Sequence, residues 1–162
     1  MIYIRNVVES DHKSIVKLND TEVQQTSEMS FDHLRSLIEL SSYCKVATVE
    51  RQVAAFLIAL RDSAPYENDN YRWFSSRFQN FLYVDRIVVG SDFSGRKIGS
   101  KLYTDMFEFA RLQGIKTIAC EYNIEPPNLP SRAFHDKFGF RELGTQWVAS
   151  GTKLVSLQTA ET

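Results

Sequence analysis

The stretch VDRIVVGSDFSGRKIGSKLY, from Val84 to Tyr103, has the residue types and spacing to hold an anion. An apolar, β-branched run delivers a Gly-containing loop to the start of an amphipathic helix. The first N–H groups of a helix lack internal acceptors and lie at the positive end of its dipole, so a phosphate satisfies them wherever no side chain blocks it. Gly95 and Gly99 leave room at two points of that turn, and Arg96 and Lys97 add positive charge. The plainer alternative is a loop whose glycines serve only chain reversal. Asp85 is a second candidate, because a carboxylate inside an otherwise apolar strand needs a partner or a purpose. Arg86 and Arg141 are the available partners, and general-base chemistry is the purpose. Cys44 and Cys120 lie in apolar stretches and read as small buried hydrophobes. His12, His33 and His135 show no ligand spacing with Cys, Asp or Glu, which argues against a zinc site.

The elements that must position these residues follow from pattern. Ile2 to Arg5 reads as a first strand, and Ser10 or Asp11 caps a helix carrying Ile15 and Leu18. Phe31, Leu34, Leu37 and Ile38 recur at helical spacing in a helix that starts at Ser30 or Asp32. Cys44 to Val49 and Val53 to Leu60 form a hairpin around Arg51-Gln52. Asp62 to Asn80 breaks the rhythm with Pro65, Asn68 and Asp69, yet carries Tyr66, Tyr71, Trp73, Phe74 and Phe78; so long a connection is often functional, and its rings must pack on the chain itself, a second subunit or a substrate. Phe81 to Val89 is the strongest strand, followed by a helix from Ile98 that stops at Gly114. Lys116 to Tyr122 is a strand halted by Pro126-Pro127, Pro130 to Phe138 a short helix, and Trp147 to Leu157 a closing hairpin around Ser150-Gly151.

The 162 residues suit one domain, with 43% hydrophobic, 24% charged and 12% aromatic residues and a net charge of -1. That balance predicts a compact cytoplasmic domain and argues against a general nucleic-acid binder, a disordered chain or a membrane span. The nucleotide pattern G-x-x-x-x-G-K-[ST] is nearly met from Gly90 to Lys97, but Arg96 takes its Lys position and Lys97 its hydroxyl position. The dinucleotide pattern G-x-G-x-x-G is absent.

A third phosphate-loop pattern, [QR]-x-x-G-x-[GA] after an internal strand, brings in a family. Ser94 stands at its first position, Lys97 at its first Gly and Gly99 at its last. A second block, NLPSRAFHDKFGF from Asn128 to Phe140, lies at the expected separation. Together with NYRWF and FLYVDRIVV, these blocks make the chain resemble the GNAT N-acetyltransferase superfamily, in an uncharacterised bacterial branch. The resemblance implies a single-domain α/β fold over residues 1–162, with a mixed, mostly antiparallel central sheet flanked by helices on both faces. It implies acetyl-CoA or coenzyme A as cofactor, held by Ile87, Val88 and Val89 on the strand, Ser94, Gly95, Arg96, Lys97, Ile98, Gly99 and Ser100 at the helix start, and Asn128, Ser131 and Phe134 in the second block.

The same resemblance implies direct attack of a primary amine, on a small molecule or a peptide, on the thioester. It places His135 where the family often has a Tyr acid for the departing thiolate, and an imidazolium gives up its proton near neutral pH more readily than a phenol does. Glu121 and Asp85 are then the candidate bases. Tyr83, Tyr66, Tyr71 and Trp73 are candidate substrate contacts, with Tyr122 as a further lining residue. The aromatic segment also allows a homodimer. A non-catalytic acyl-CoA sensor of the same fold is the alternative. Either way, coenzyme A and not magnesium-ATP is expected to raise the melting temperature by mass action, and a bulky residue at Gly99 to abolish that shift. An unchanged melting curve in millimolar coenzyme A counts against this reading.

Overall fold

The computed structural model describes residues 1–22 and 26–162. Among these, seven strands and five α-helices alternate as β1 (Ile2–Asn6), α1 (His12–Thr21), α2 (Phe31–Leu40), β2 (Tyr43–Val49), β3 (Gln52–Arg61), α3 (Asp69–Ser75), β4 (Phe81–Val89), α4 (Ile98–Leu112), β5 (Thr117–Glu125), α5 (Leu129–Lys137), β6 (Arg141–Val148) and β7 (Lys153–Glu161). The strands form one sheet in the order β1-β2-β3-β4-β5-β7-β6. Pairing is antiparallel for β1 with β2, β2 with β3, β5 with β7 and β6 with β7, and parallel for β4 with β5. Packing divides the chain into two compact units, residues 1–60 with 84–106 and residues 61–83 with 107–162.

In the first unit, β1, β2 and β3 form a meander. The β2–β3 turn has Glu50 and Arg51 at φ 50° and 67°, the handedness that a two-residue hairpin needs. Seven consecutive residues of β3, Ala54 to Leu60, are buried, so both of its faces are covered. Ser30 caps α2 by accepting from the His33 amide at 3.1 Å, which explains the helix start read from the sequence. Cys44 is buried, and burial pushes its thiol up to about 12, as an inert core cysteine requires. The unit's polar centre is Arg86 on β4. Its guanidinium donates to Asp85 Oδ2 at 2.7 Å, to Asn19 Oδ1 and the Ser27 carbonyl at 3.0 Å each, and to Ser27 Oγ at 3.1 Å.

The second unit is built on β5, β7 and β6. Here the structure departs from the expected irregular connection, because Asp69 to Ser75 is a helix. Asn68 starts it, its side chain accepting from the Asn70 and Tyr71 amides at 3.0 Å. Seven residues are too few to show a periodic stripe, so this cap was the readable signal. The aromatic segment packs on its own unit. Tyr71 and Phe74 are buried and meet the Tyr83 ring at centroid distances of 5.5 and 6.0 Å. Trp73 lies over Gly144, where an added Cβ would come within 2.8 Å of its ring. The closing hairpin is longer than expected. The first three residues of β6, Arg141 to Leu143, are all exposed, which hid the start of the strand from a period-2 reading.

Asp85 and Arg86 have side chains at most 4% exposed. Removing one partner of such a pair leaves an uncompensated buried charge, a loss of about 3–5 kcal/mol. Arg86→Met is therefore expected to destabilise the protein by that amount in denaturant titration; a change below about 1 kcal/mol would show that the pair is dispensable.

Candidate active site

The anion-binding loop belongs to the first unit. The Gly90 amide donates to the Ala54 carbonyl at 2.8 Å, which fixes where β4 ends. An added Cβ at Gly90 would lie 2.9 Å from Leu18 Cδ2 and 3.3 Å from the Ala54 carbonyl, so a side chain here would push on α1 and β3. A short 3-10 turn, Ser91–Phe93, follows, and Ser94 to Lys97 are exposed. Gly95 and Lys97 both have left-handed backbones, at φ 78° and 61°. Lys97 occupies the position at which the expected pattern has its first Gly, and its dihedral shows why glycine is usual there. The helix ladder begins with the Lys101 amide donating to the Lys97 carbonyl at 3.1 Å, so the amides of the first turn, from Ile98 on, have no acceptor within the helix. Arg96 places its guanidinium 5.6 Å from the Phe93 ring centroid. Exposed backbone, two left-handed residues and two cations fit a pyrophosphate, the group a coenzyme A donor would present here.

The strand before the loop carries Ile87 and Val89 half-buried and Val88 buried. Asp85 precedes them on the face of Ile87 and Val89. Its carboxylate is bound to Arg86, which favours the structural role weighed for it over that of a base.

The second unit brings Tyr83 and Glu121 together. Tyr83↔Ala119 is a parallel register pair, and Glu121 follows two residues later on the same face of β5. The buried Tyr83 hydroxyl donates to Glu121 Oε1. The Tyr71 hydroxyl donates to the Arg61 carbonyl at 2.7 Å and accepts from the Ala64 amide at 3.0 Å, so its one proton is committed within the chain. Tyr66 and Tyr71 line a surface concavity of about 300 Å³ with Ser63, Pro65, Glu67 and Arg72. Trp73 is given to Gly144 and to Arg77, whose guanidinium stacks 4.0 Å from its ring.

Helix α5 holds the second sequence block. Asn128 caps it, Oδ1 accepting from the Ser131 amide at 3.2 Å, which leaves Nδ2 as the side chain's donor. Phe134 packs edge-on to His135 at 5.3 Å. His135 itself is buried, with Nδ1 2.7 Å from the Ser131 carbonyl and 3.2 Å from Ser131 Oγ. A carbonyl accepts only, so Nδ1 carries the proton. Burial lowers the imidazole's pKa, outweighing the hydrogen bond to Ser131 and the charge of Asp136. Burial thus disfavours the imidazolium form on which the expected proton donor depends. Tyr122, 5.6 Å from the His135 ring, is tied into a buried row in which Gln158 Nε2 donates to its hydroxyl at 3.3 Å and to Ser156 Oγ at 2.6 Å, and Ser156 donates to Glu142 at 2.6 Å. The sequence pattern does not single out Asn123, a buried amide on β5. Its one signal is a polar side chain two residues from Glu121 in an apolar run.

Comparison with known proteins identifies the architecture. The chain is similar in structure to Ard1 from Thermoplasma volcanium (TM-score 0.82, 15% identity, 99% of this chain and 97% of that one). It is also similar to a ribosomal-protein-alanine N-acetyltransferase from Brucella melitensis (0.78, 20%, 99% of each) and an N-acetyltransferase from Staphylococcus aureus (0.77, 16%, 99% and 98%). At these identities the likeness is one of fold. No curated protein matches the sequence at a significant level. The sequence model of the acetyltransferase (GNAT) family matches residues 13–140, a span that takes in the Gly90–Gly99 loop, the Tyr83–Glu121 pair and helix α5, and this chain belongs to that family.

Proposed function

We propose that the chain is an acetyl-CoA-dependent N-acetyltransferase acting on a primary amine, with Glu121 as its base. The observation that carries this is the Tyr83–Glu121 hydrogen bond in a chain of this family. A base must hold its orientation without losing its charge, and a neutral phenol donating to one carboxylate oxygen does both. Acetyl-CoA, as donor substrate, supplies the thioester: its carbon–sulfur bond breaks as the amine nitrogen bonds to the acetyl carbon, and the sulfur leaves as a thiolate. Glu121 takes the proton that the nitrogen must lose. The loop from Ser94 to Ser100 binds the pyrophosphate, with Lys97 adding an ionic contact. A thiol's ordinary pKa of about 8.5 makes its thiolate a fair leaving group without a strong acid, so His135 serves here to pack and brace α5.

The test is release of coenzyme A from acetyl-CoA with a panel of amines. Glu121→Gln keeps the shape and removes the basicity. It is expected to lower kcat by about 10²- to 10⁴-fold while the melting shift with coenzyme A persists. Wild-type turnover by this variant removes Glu121 from the chemistry. Binding of coenzyme A without turnover of any amine favours the sensor alternative.

His135 gives a pH signature. Its folded pKa lies below the unfolded value of about 6.5, so the unfolded state binds the proton more readily. The stability associated with the neutral ring is present above about pH 6.5 and is lost as pH falls through the folded value. The melting temperature is expected to drop on acidification from pH 7.5 to 5, and to drop less in His135→Gln. Equal slopes for the two proteins would show that His135 stays easily protonated.

A further inference from the structure

On the sheet face that carries Glu121, the next side chain along β5 is Asn123. It is 7% exposed, and its Nδ2 is buried with no hydrogen-bond partner among the described residues. A buried donor left unpaired costs stability, and native proteins keep few of them. The backbone around it is fixed. Asn123 pairs with Val155, and its carbonyl accepts from the Asn128 amide at 3.2 Å.

The sheet register places the neighbours. Glu121 and Gly144 both pair with Leu157, and Asn123 and Gln146 both pair with Val155, so two rows run side by side across the face. Helix α3 covers the β6 end of both rows. Trp73 lies over Gly144, and Gln146 Nε2 donates to Asn70 Oδ1 at 3.1 Å. Gln146 thus has a partner, Glu121 holds the Tyr83 hydroxyl, and Asn123 Nδ2 is the donor on this face left over.

We propose that Asn123 Nδ2 binds a carbonyl oxygen of the acceptor, on the carbon next to the one bearing the amine. The acceptor class is an α-amino carbonyl compound, the group presented by an amino-acid amide or a peptide N-terminus. This inference rests on the acetyl-transfer reading and names the substrate of the same site. Side chains two apart on a strand stand about 7 Å apart. Two hydrogen bonds of about 2.9 Å each let them bracket two atoms about 3 Å apart, the separation of nitrogen and oxygen across N–Cα–C=O. Nδ2 is enclosed in the ligand-free chain, so the oxygen meets it by a side-chain rotation. That rotation breaks no hydrogen bond, because Nδ2 makes none. A site with a donor waiting for an oxygen discriminates against an amine that lacks one.

The experiment uses the full chain with acetyl-CoA and a panel of amino-acid amides, each matched to the amine in which a methyl replaces the carboxamide. The readout is the ratio of kcat/KM for amide over matched amine in wild type and in Asn123→Leu, which cancels the different basicities of the two amines. The ratio is expected to fall about 10- to 100-fold in the variant, the size of one substrate hydrogen bond. Melting of the variant without ligand is expected at or above the wild-type temperature, because a leucine of similar shape replaces an unpaired donor. A ratio that does not change, or a variant that melts several degrees lower, overturns the inference while leaving acetyl transfer standing. Failure of the wild type to release coenzyme A with any member of the panel, or with matched short peptides, overturns both. Preference for a peptide over the amide of its first residue assigns the site to polypeptide N-termini; the reverse preference assigns it to small amides.

Discussion

The second unit is organised around the hydrogen bond that the buried Tyr83 hydroxyl donates to the half-buried Glu121 carboxylate. The tyrosine must itself be held, and the segment between β3 and β4 supplies the means. Tyr71 and Phe74 press their rings on Tyr83, while Trp73 closes over the side-chain-free patch at Gly144. The Tyr71 hydroxyl fastens the start of that segment to the Arg61 carbonyl and the Ala64 amide. Aromatic rings thus brace the Tyr83–Glu121 pair, which accounts for a segment rich in them without requiring an exposed apolar patch.

The first unit solves a different electrostatic problem with the opposite choice. Asp85 and Arg86 neutralise one another deep in β4, and the guanidinium's remaining donors go to Asn19 and Ser27. A carboxylate so committed is a scaffold. A few residues on, the loop leaves its backbone exposed and holds Lys97 in a left-handed conformation that a lysine does not favour. Such strain costs stability and persists only where the surrounding structure holds it.

Much of this was legible in the sequence. Gly90, Gly95, Gly99 and the apolar run before them marked a strand, loop and helix in order, and both family blocks lay at their expected separation. The strand order and the helix inside Asp62 to Asn80 were not legible, for separate reasons. Order depends on pairings between segments far apart in the chain, and α3 is too short to carry a periodic signal. Roles were harder than positions. His135 stands where the family resemblance put it, but its burial against Tyr122, Phe134 and Phe140 decides its protonation. Asp85 and Glu121 look alike as acidic residues in apolar strands. Their partners differ: Asp85 binds a guanidinium and Glu121 accepts from a phenol.

The placement of β7 between β5 and β6 bears on how the chain is made. Synthesis at about 5–20 residues per second makes β5 and β6 before the strand that separates them exists. Until residues 153–161 follow, β5 has an open edge, and β6 is a nearby strand that it must not pair with. The β6–β7 hairpin offers a way out, since its turn at Ala149 to Gly151 already has the left-handed backbone that reverses the chain. A hairpin closes in about 1–10 μs, far faster than one residue is added. The order of events is therefore hairpin first, then delivery of its inner strand to β5. A released chain truncated just short of Lys153 would hold two unsatisfied strands and be a natural client for chaperones.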